Sequence, residues 1–243
     1  MPDLHALIEQ HTGQTVRSSS AAGGGCINDA RLFTLADGAK MFTKTHPRAA
    51  TMPGMFTSEA AGLAKLADAD TPLFVPRPIA AGEDFIITEA FEPAPRPADF
   101  AEQLGRGIAL LHKNTTAERY GFDCDNYLGV SPQANAWHDD WITFWARQRL
   151  QPMLDRVRGD EELDRLGTKL LDQLDNVLAD TAEPPALLHG DLWSGNAEAS
   201  TRGIAIFDPA PYFGHREAEL GMTRLFGFGN GFEAAYHDTY PLA

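Results

Sequence analysis

Apolar residues in the first third of the chain fall in short runs that alternate with polar ones, the spacing of half-buried strands. Thr15–Ser20 and Arg31–Leu35 read as two such strands. Ala36-Asp37-Gly38-Ala39 is a hairpin turn leading into a third, Lys40–Thr45. Val75–Ile79 and Asp84–Glu89 add two more, giving a five-stranded antiparallel sheet. Residues 4–11 predict a short leading helix. An alanine-rich helix from Thr57 to Ala67, with Phe56, Leu63 and Leu66 on its apolar side, interrupts the strands.

Beyond residue 98 the period lengthens to that of a helix. Phe100, Leu104, Ile108 and Leu111 share one face behind Asp99 as a cap, and His112 ends the helix as a core or terminal polar residue. The stretch 114–136 is irregular. Trp137, Trp141 and Trp145, spaced by four with Phe144 beside them, predict a helix that packs its rings into the core. Leu163, Leu166, Leu170, Leu171, Leu174, Val177 and Leu178 predict a further core-facing helix, with acidic residues 160–164 at its start. Helices beginning near Arg216 and spanning Phe232–Tyr240 close the chain, and Arg216, Glu217 and Glu219 read as a surface or interlobe ion network.

Composition changes this picture little. In 243 residues, 43% of them hydrophobic, there is enough apolar material for a sizeable core. The formal charge of -14 opposes a phosphate-binding surface, so nucleic acid is not an expected partner. With no leader-like segment and no apolar run near the roughly 20 residues of a membrane span, the reading is a soluble, cytoplasmic protein. Two cysteines, Cys26 and Cys124, make neither a disulfide framework nor a zinc site.

The candidate chemistry is concentrated in residues 187–208, LLHGDLWSGNAEASTRGIAIFD. Two apolar residues enter a polar turn that holds Asp191; Asn196 follows, and a hairpin turning at Ser200–Gly203 delivers Asp208 at the end of its second strand. Phosphoryl transfer needs an acceptor hydroxyl held in line and hard cations on the phosphates. Asp191 suits the first task, as base. Asn196 and Asp208 suit the second, as oxygen ligands of magnesium. Each alone could be a turn or strand-end residue; their order and spacing favour the chemical reading.

The string HGDLWSGN, followed by FDPAPYFGHREAEL, resembles the signature of the fructosamine kinase, or ketosamine 3-kinase, family. That resemblance implies an α+β, bilobal protein-kinase-like fold, with residues 1–89 as the ATP-binding lobe, 90–97 as hinge and 98–243 as a mainly helical catalytic and substrate lobe. It also implies ATP and Mg2+ as cofactors. The implied reaction is phosphorylation of the 3-hydroxyl of a ketoamine, either a small molecule or a glycated protein lysine, leading to deglycation. Gly23-Gly24-Gly25-Cys26-Ile27-Asn28 is similar to the family's loop over the ATP phosphates, and the FEGEAAGL-like stretch makes Glu59 the partner of Lys44. Glu89 and Phe91 take the hinge role of offering main-chain groups to adenine. Trp193 is the candidate for stacking on the sugar, with packing under the loop as its even alternative. Family members continue with further helices after a YHxxYPLA-like string, so the second lobe is expected without its last helices. Cys26 raises the expectation of a monomer that oxidation links into a dimer. Two other readings stay open: a kinase for an aminoglycoside- or choline-like hydroxyl compound, and a nucleotide-binding module without catalysis.

Overall fold

The computed structural model describes residues 2–22, 29–179 and 183–242. The expectations on Gly23, Gly24, Gly25, Cys26 and Asn28, including the Cys26 dimer, lie outside the described residues. In chain order the first part comprises α1 (Leu4–Thr12), β1 (Val16–Ala21), β2 (Asp29–Leu35), β3 (Lys40–Thr45), α2 (Met55–Ala67), β4 (Pro78–Ala81) and β5 (Phe85–Glu89). The five strands form one antiparallel sheet in the order β1-β2-β3-β5-β4. Successive side chains alternate across it, so Ile87 joins Ile8 of α1, Phe33 and Leu35 under one face, while Ile86 joins Phe56, Leu63 and Leu66 of α2 under the other.

One strand differs from the sequence expectation. Residues 75–77 lie outside the sheet and the fourth strand begins at Pro78. Pro76 and Pro78 have no N–H to give to a ladder, which displaces the pairing toward Ala80 and Ala81. The residues just before them pair elsewhere: Phe74 donates its N–H to the Ile204 carbonyl at 2.8 Å and accepts that of Ile206 at 2.9 Å.

The remainder is mainly helical: α3 (Phe100–Asn114), a small hairpin of β6 (Asn126–Leu128) and β7 (Ser131–Gln133), α4 (Trp141–Phe144) running through a π-helical turn at Trp145–Leu150 into α5 (Gln151–Arg156), and α6 (Glu161–Val177). Then follow β8 (Ala186–Leu188), β9 (Ala197–Ser200), β10 (Gly203–Ile206), β11 (Tyr212–Gly214), α7 (Glu217–Leu225) and α8 (Asn230–Thr239). Among the described residues no helix is long and apolar enough to cross a membrane.

Two helical expectations need correction. Trp137 precedes the tryptophan helix, which starts where the Asp140 carboxylate accepts the Thr143 N–H at 2.7 Å; its ring lies 5.9 Å from Phe213 instead of joining the Trp141–Trp145 pair. The leucines of the first part of α6 do not face the core. Leu163, Leu166 and Leu170 are 41–44% exposed, and only Gly167 and Leu174 of that helix are buried.

Candidate active site

Lys44 stands near the end of β3, opposite Ile86 of β5, and is 6% exposed. Its ammonium lies 2.7 Å from Glu59 Oε1 of α2 and 2.5 Å from Asp208 Oδ1. Burial works against the lysine charge, but the two carboxylates outweigh it and raise its pKa, so Lys44 stays a cation at any physiological pH. Glu59 is held in place from outside the sheet. Gly62, one turn further along α2, abuts Pro211, where a Cβ would come within 2.6 Å of the proline ring. Tyr127 of β6 donates its hydroxyl to the Pro53 carbonyl just before the helix, and Asn126 donates to the Pro211 carbonyl at 2.8 Å. Asn126 and Tyr127 thus brace α2 against the segment that follows Asp208.

Asp208 ends the hairpin in the left-handed region, φ 57°, and is the one non-glycine residue so placed among those described. Such a conformation is costly for a side-chain-bearing residue and is characteristic of sites that need one particular direction. Asn196 links the Asp191 carboxylate to the main chain of Asp208. Its amide nitrogen donates to the Asp191 carbonyl at 2.9 Å, to Asp191 Oδ2 at 3.1 Å and to the Asp208 carbonyl at 3.4 Å. Because those acceptors can only accept, the amide oxygen of Asn196 is the end that remains for another group.

Asp191 sits in the turn after β8. Burial pushes its carboxyl up to about 7; the Asn196 hydrogen bond opposes this, and the charges of Glu219 and Asp208 add to it. His189 locks the entry to the turn: its Nε2 donates to the Phe207 carbonyl at 3.0 Å, and its Nδ1 accepts the Asp191 N–H at 3.3 Å. Burial lowers the His189 pKa, in keeping with this neutral form. Gly190 has φ 81°, and a Cβ there would meet the Ala210 carbonyl oxygen at 2.0 Å, so only glycine makes this turn.

Trp193 is 39% exposed. Its ring lies over Gly195, where a Cβ would be 2.3 Å from the ring carbons, and meets Phe226 edge-on at 6.3 Å. It therefore packs on its own loop and still leaves part of its ring exposed. In the connector, Phe91 stands between Phe74 and Phe207, 6.0 and 5.6 Å away, and the Glu89 carboxylate pairs with Arg202 at 3.2 Å. The neighbouring main-chain donors are used within the chain: Glu89 to Arg77, Ala90 to Lys40 and Ala94 to Ala199. Adjacent Glu92 accepts from Thr201, which zips this segment to the β9–β10 hairpin.

Among the described residues no group of three or more His, Cys, Asp or Glu side chains converges as a metal cage. The Asn196 amide oxygen and the Asp208 carboxylate are instead two hard oxygen donors of the kind a divalent cation takes beside phosphate oxygens and water. The donor set fits such an ion.

Two buried residues gained a place here that periodicity did not assign. Glu219, read as part of a surface or interlobe ion network, is 2% exposed and directed at the turn before Asp191. Arg216 is also buried, paired through two nitrogens with Glu183 at 2.6 Å. Neither has a local sequence signal, because each partner lies about thirty residues away.

A model of the fructosamine kinase family matches residues 1–243. The chain is 38% identical to the chloroplastic protein-ribulosamine 3-kinase of Oryza sativa subsp. japonica, over 97% of this chain and 70% of the relative. It is 31% identical to the ketosamine-3-kinase of Mus musculus, over 98% and 87%. Among solved structures, a candidate fructosamine-3-kinase of Thermobifida fusca superposes with a TM-score of 0.87 at 34% identity, covering 99% of this chain and 85% of that one. The gentamicin complex of APH(2")-IIa, at 13% identity and a TM-score of 0.63, shares the fold.

Proposed function

The chain belongs to the fructosamine kinase family, and from that premise we propose that it transfers a phosphoryl group from ATP to the 3-hydroxyl of a ketoamine, with magnesium as the metal. The observation that carries the reading is the unbroken contact from Lys44 through Asp208 and Asn196 to Asp191, a row that supports reading them as a phosphate-binding cation, two metal ligands and a base. The relatives named for ribulosamine and ketosamine point to the sugar-amine class of acceptor.

Asp191 orients the acceptor hydroxyl and takes its proton as the new P–O bond forms and the bond to the departing nucleotide diphosphate breaks. Asn196 keeps one carboxylate oxygen, Oδ2, occupied, so that the acceptor hydroxyl meets the other. Lys44 is held by Glu59 to meet phosphate oxygens. Asn196 and Asp208 would hold the magnesium ion, which would neutralise charge on the phosphates. The Phe91 main chain with the Glu89 carbonyl receives adenine. Residues 1–89 act as the nucleotide lobe and 98–243 as the acceptor lobe, joined at 90–97. Trp193 stacks on the sugar, and deglycation is the consequence of the phosphorylation. Both a free ketoamine and a glycated lysine present this acceptor.

The test is ADP release with magnesium and ATP across a panel: a ribulosamine, a fructosamine, an aminoglycoside, choline and no acceptor. Release that needs a ketoamine and disappears in Asp191→Asn supports the reading. Release driven by an aminoglycoside or choline alone, or nucleotide binding with no acceptor-dependent release at all, overturns it. Trp193→Ala is expected to raise KM for the ketoamine and leave that for ATP unchanged.

A further inference from the structure

We infer that Glu219 is a positioning residue for phosphoryl transfer, a buried carboxylate that grips the two main-chain N–H groups immediately before Asp191 and so fixes where that side chain points. The inference rests on the reading of Asp191 as the base. Glu219 Oε2 accepts the His189 N–H at 2.5 Å, and Oε1 accepts the Gly190 N–H at 3.1 Å. Two adjacent amides leaving a strand end in the interior need two acceptors, and a carboxylate is the side chain that offers them. Glutamine has the same length but brings one acceptor and one donor, so it would leave one of these amides facing an N–H.

A buried carboxylate is an expensive way to satisfy two amides, and packing alone does not require it. The chain supports its charge from behind. Burial pushes the Glu219 carboxyl up, but the histidine contacts and the amide hydrogen bond outweigh this and leave its pKa lowered. His112 of α3 places Nε2 3.7 Å from Glu219 Oε2, and its Nδ1 is 2.8 Å from the hydroxyl of Tyr236 on α8. His112 is thus more than a core polar residue: it carries the support of two helices to Glu219.

The grip is also two-sided. Helix α7 bears Glu219 in its first turn, and the residue that caps its other end, Phe226, accepts the Ser194 N–H through its carbonyl at 3.2 Å. One helix therefore holds the loop before Asp191 and again after Trp193. The three residues between those holds carry both the base and the proposed sugar contact, so a shift of α7 would move the two together.

The experiment compares wild type with Glu219→Gln. It measures kcat and both KM values with a ketoamine, the melting temperature, and the amide proton shifts of His189 and Gly190 in ¹⁵N-labelled protein. Loss of aim without loss of nucleotide binding predicts a fall in kcat of about 100-fold with KM for ATP within about twofold, and the two amide signals, downfield in wild type, move upfield. A kcat within about threefold of wild type, or amide signals that do not move, overturns the inference. So does a fall in kcat that comes with an equal change in KM for ATP and a lost cooperative melt, because that is a general structural role. If Glu219→Gln does not fold, Glu219→Asp, which keeps the charge and retreats by one methylene, is judged on the same criteria. Should wild type turn over no ketoamine, the functional reading fails, and the amide signals alone decide whether the clamp exists.

Discussion

Helices α3 and α6 carry nearly the same spacing of apolar residues, and they meet opposite fates. In α3, Leu104, Ile108 and Leu111 are 0% exposed and Phe100 is 6% exposed, whereas Leu163, Leu166 and Leu170 of α6 are 41–44% exposed. The difference lies in what reaches them. Gly105 of α3 lets the main chain of α8 come so close that a Cβ would stand 2.2 Å from the Phe232 carbonyl oxygen, and Gly107 admits Leu73 in the same way. α6 rests along α5, where Gly167 admits Leu154, and Leu163, Leu166 and Leu170 stay exposed, although Leu174 near its end is buried. An amphipathic pattern reports that a helix has an apolar face; the partner that covers it is settled by contacts distant in sequence. The covered helix is the one that reaches the site, through His112 and the buried glutamate it supports.

Substitutions on the two sides should separate accordingly. The largest effect is at the end of the covered region: Asp191→Asn is expected to lower kcat by about 1000-fold while the protein still melts cooperatively, as read by ADP release beside thermal unfolding. Next, Leu104→Ala should cost about 2–5 kcal/mol in urea unfolding, because the cavity opens where α3 and α8 touch. A loss below about 1 kcal/mol there would break the comparison.

A third effect sharpens it through pH. Burial raises the Asp191 pKa from 3.8 to about 7 in the folded chain, so the folded state binds the proton more tightly than the unfolded one. The stability this confers is fully present below the unfolded value and is lost as pH rises through 7. Without nucleotide, Asp191→Asn should therefore gain melting temperature over wild type as pH goes from 5 to 8. A difference that is flat or shrinks over that range would contradict the burial of this carboxylate. The smallest effect belongs to the uncovered helix: Leu166→Ala should change stability by no more than about 0.5 kcal/mol and leave kcat unchanged.

What was legible in the sequence is what short-range chemistry dictates. The alternation in Lys40–Thr45, the turn at Asp37-Gly38 and the His189-to-Asp208 string each specify their structure within a few residues, and the five-stranded sheet followed from them. Two proline residues were enough to shift the fourth strand, because the pattern shows apolar positions and not missing donors. The helix start at Trp141 was set by an aspartate cap that the spacing of three tryptophans concealed. The clamp before Asp191 was illegible for a different reason. Nothing near Glu219 distinguishes it from its exposed neighbour Glu217, and its role arises only when α7 is brought to the end of β8. Likewise Asn126 and Tyr127, in a stretch that reads as irregular, acquire a role only in space, as the brace between α2 and Pro211.

The central claim, that the row from Lys44 to Asp191 phosphorylates a ketoamine, is tested most directly by locating the phosphate. A peptide bearing a ribulosamine on its lysine side chain is incubated with ATP, magnesium and the protein, and the product is read by phosphorus–proton correlation NMR. The account predicts a single phosphate on the sugar 3-oxygen with wild type and none with Asp191→Asn. ADP release that leaves the sugar unmodified, or a phosphate on any other oxygen, would contradict it.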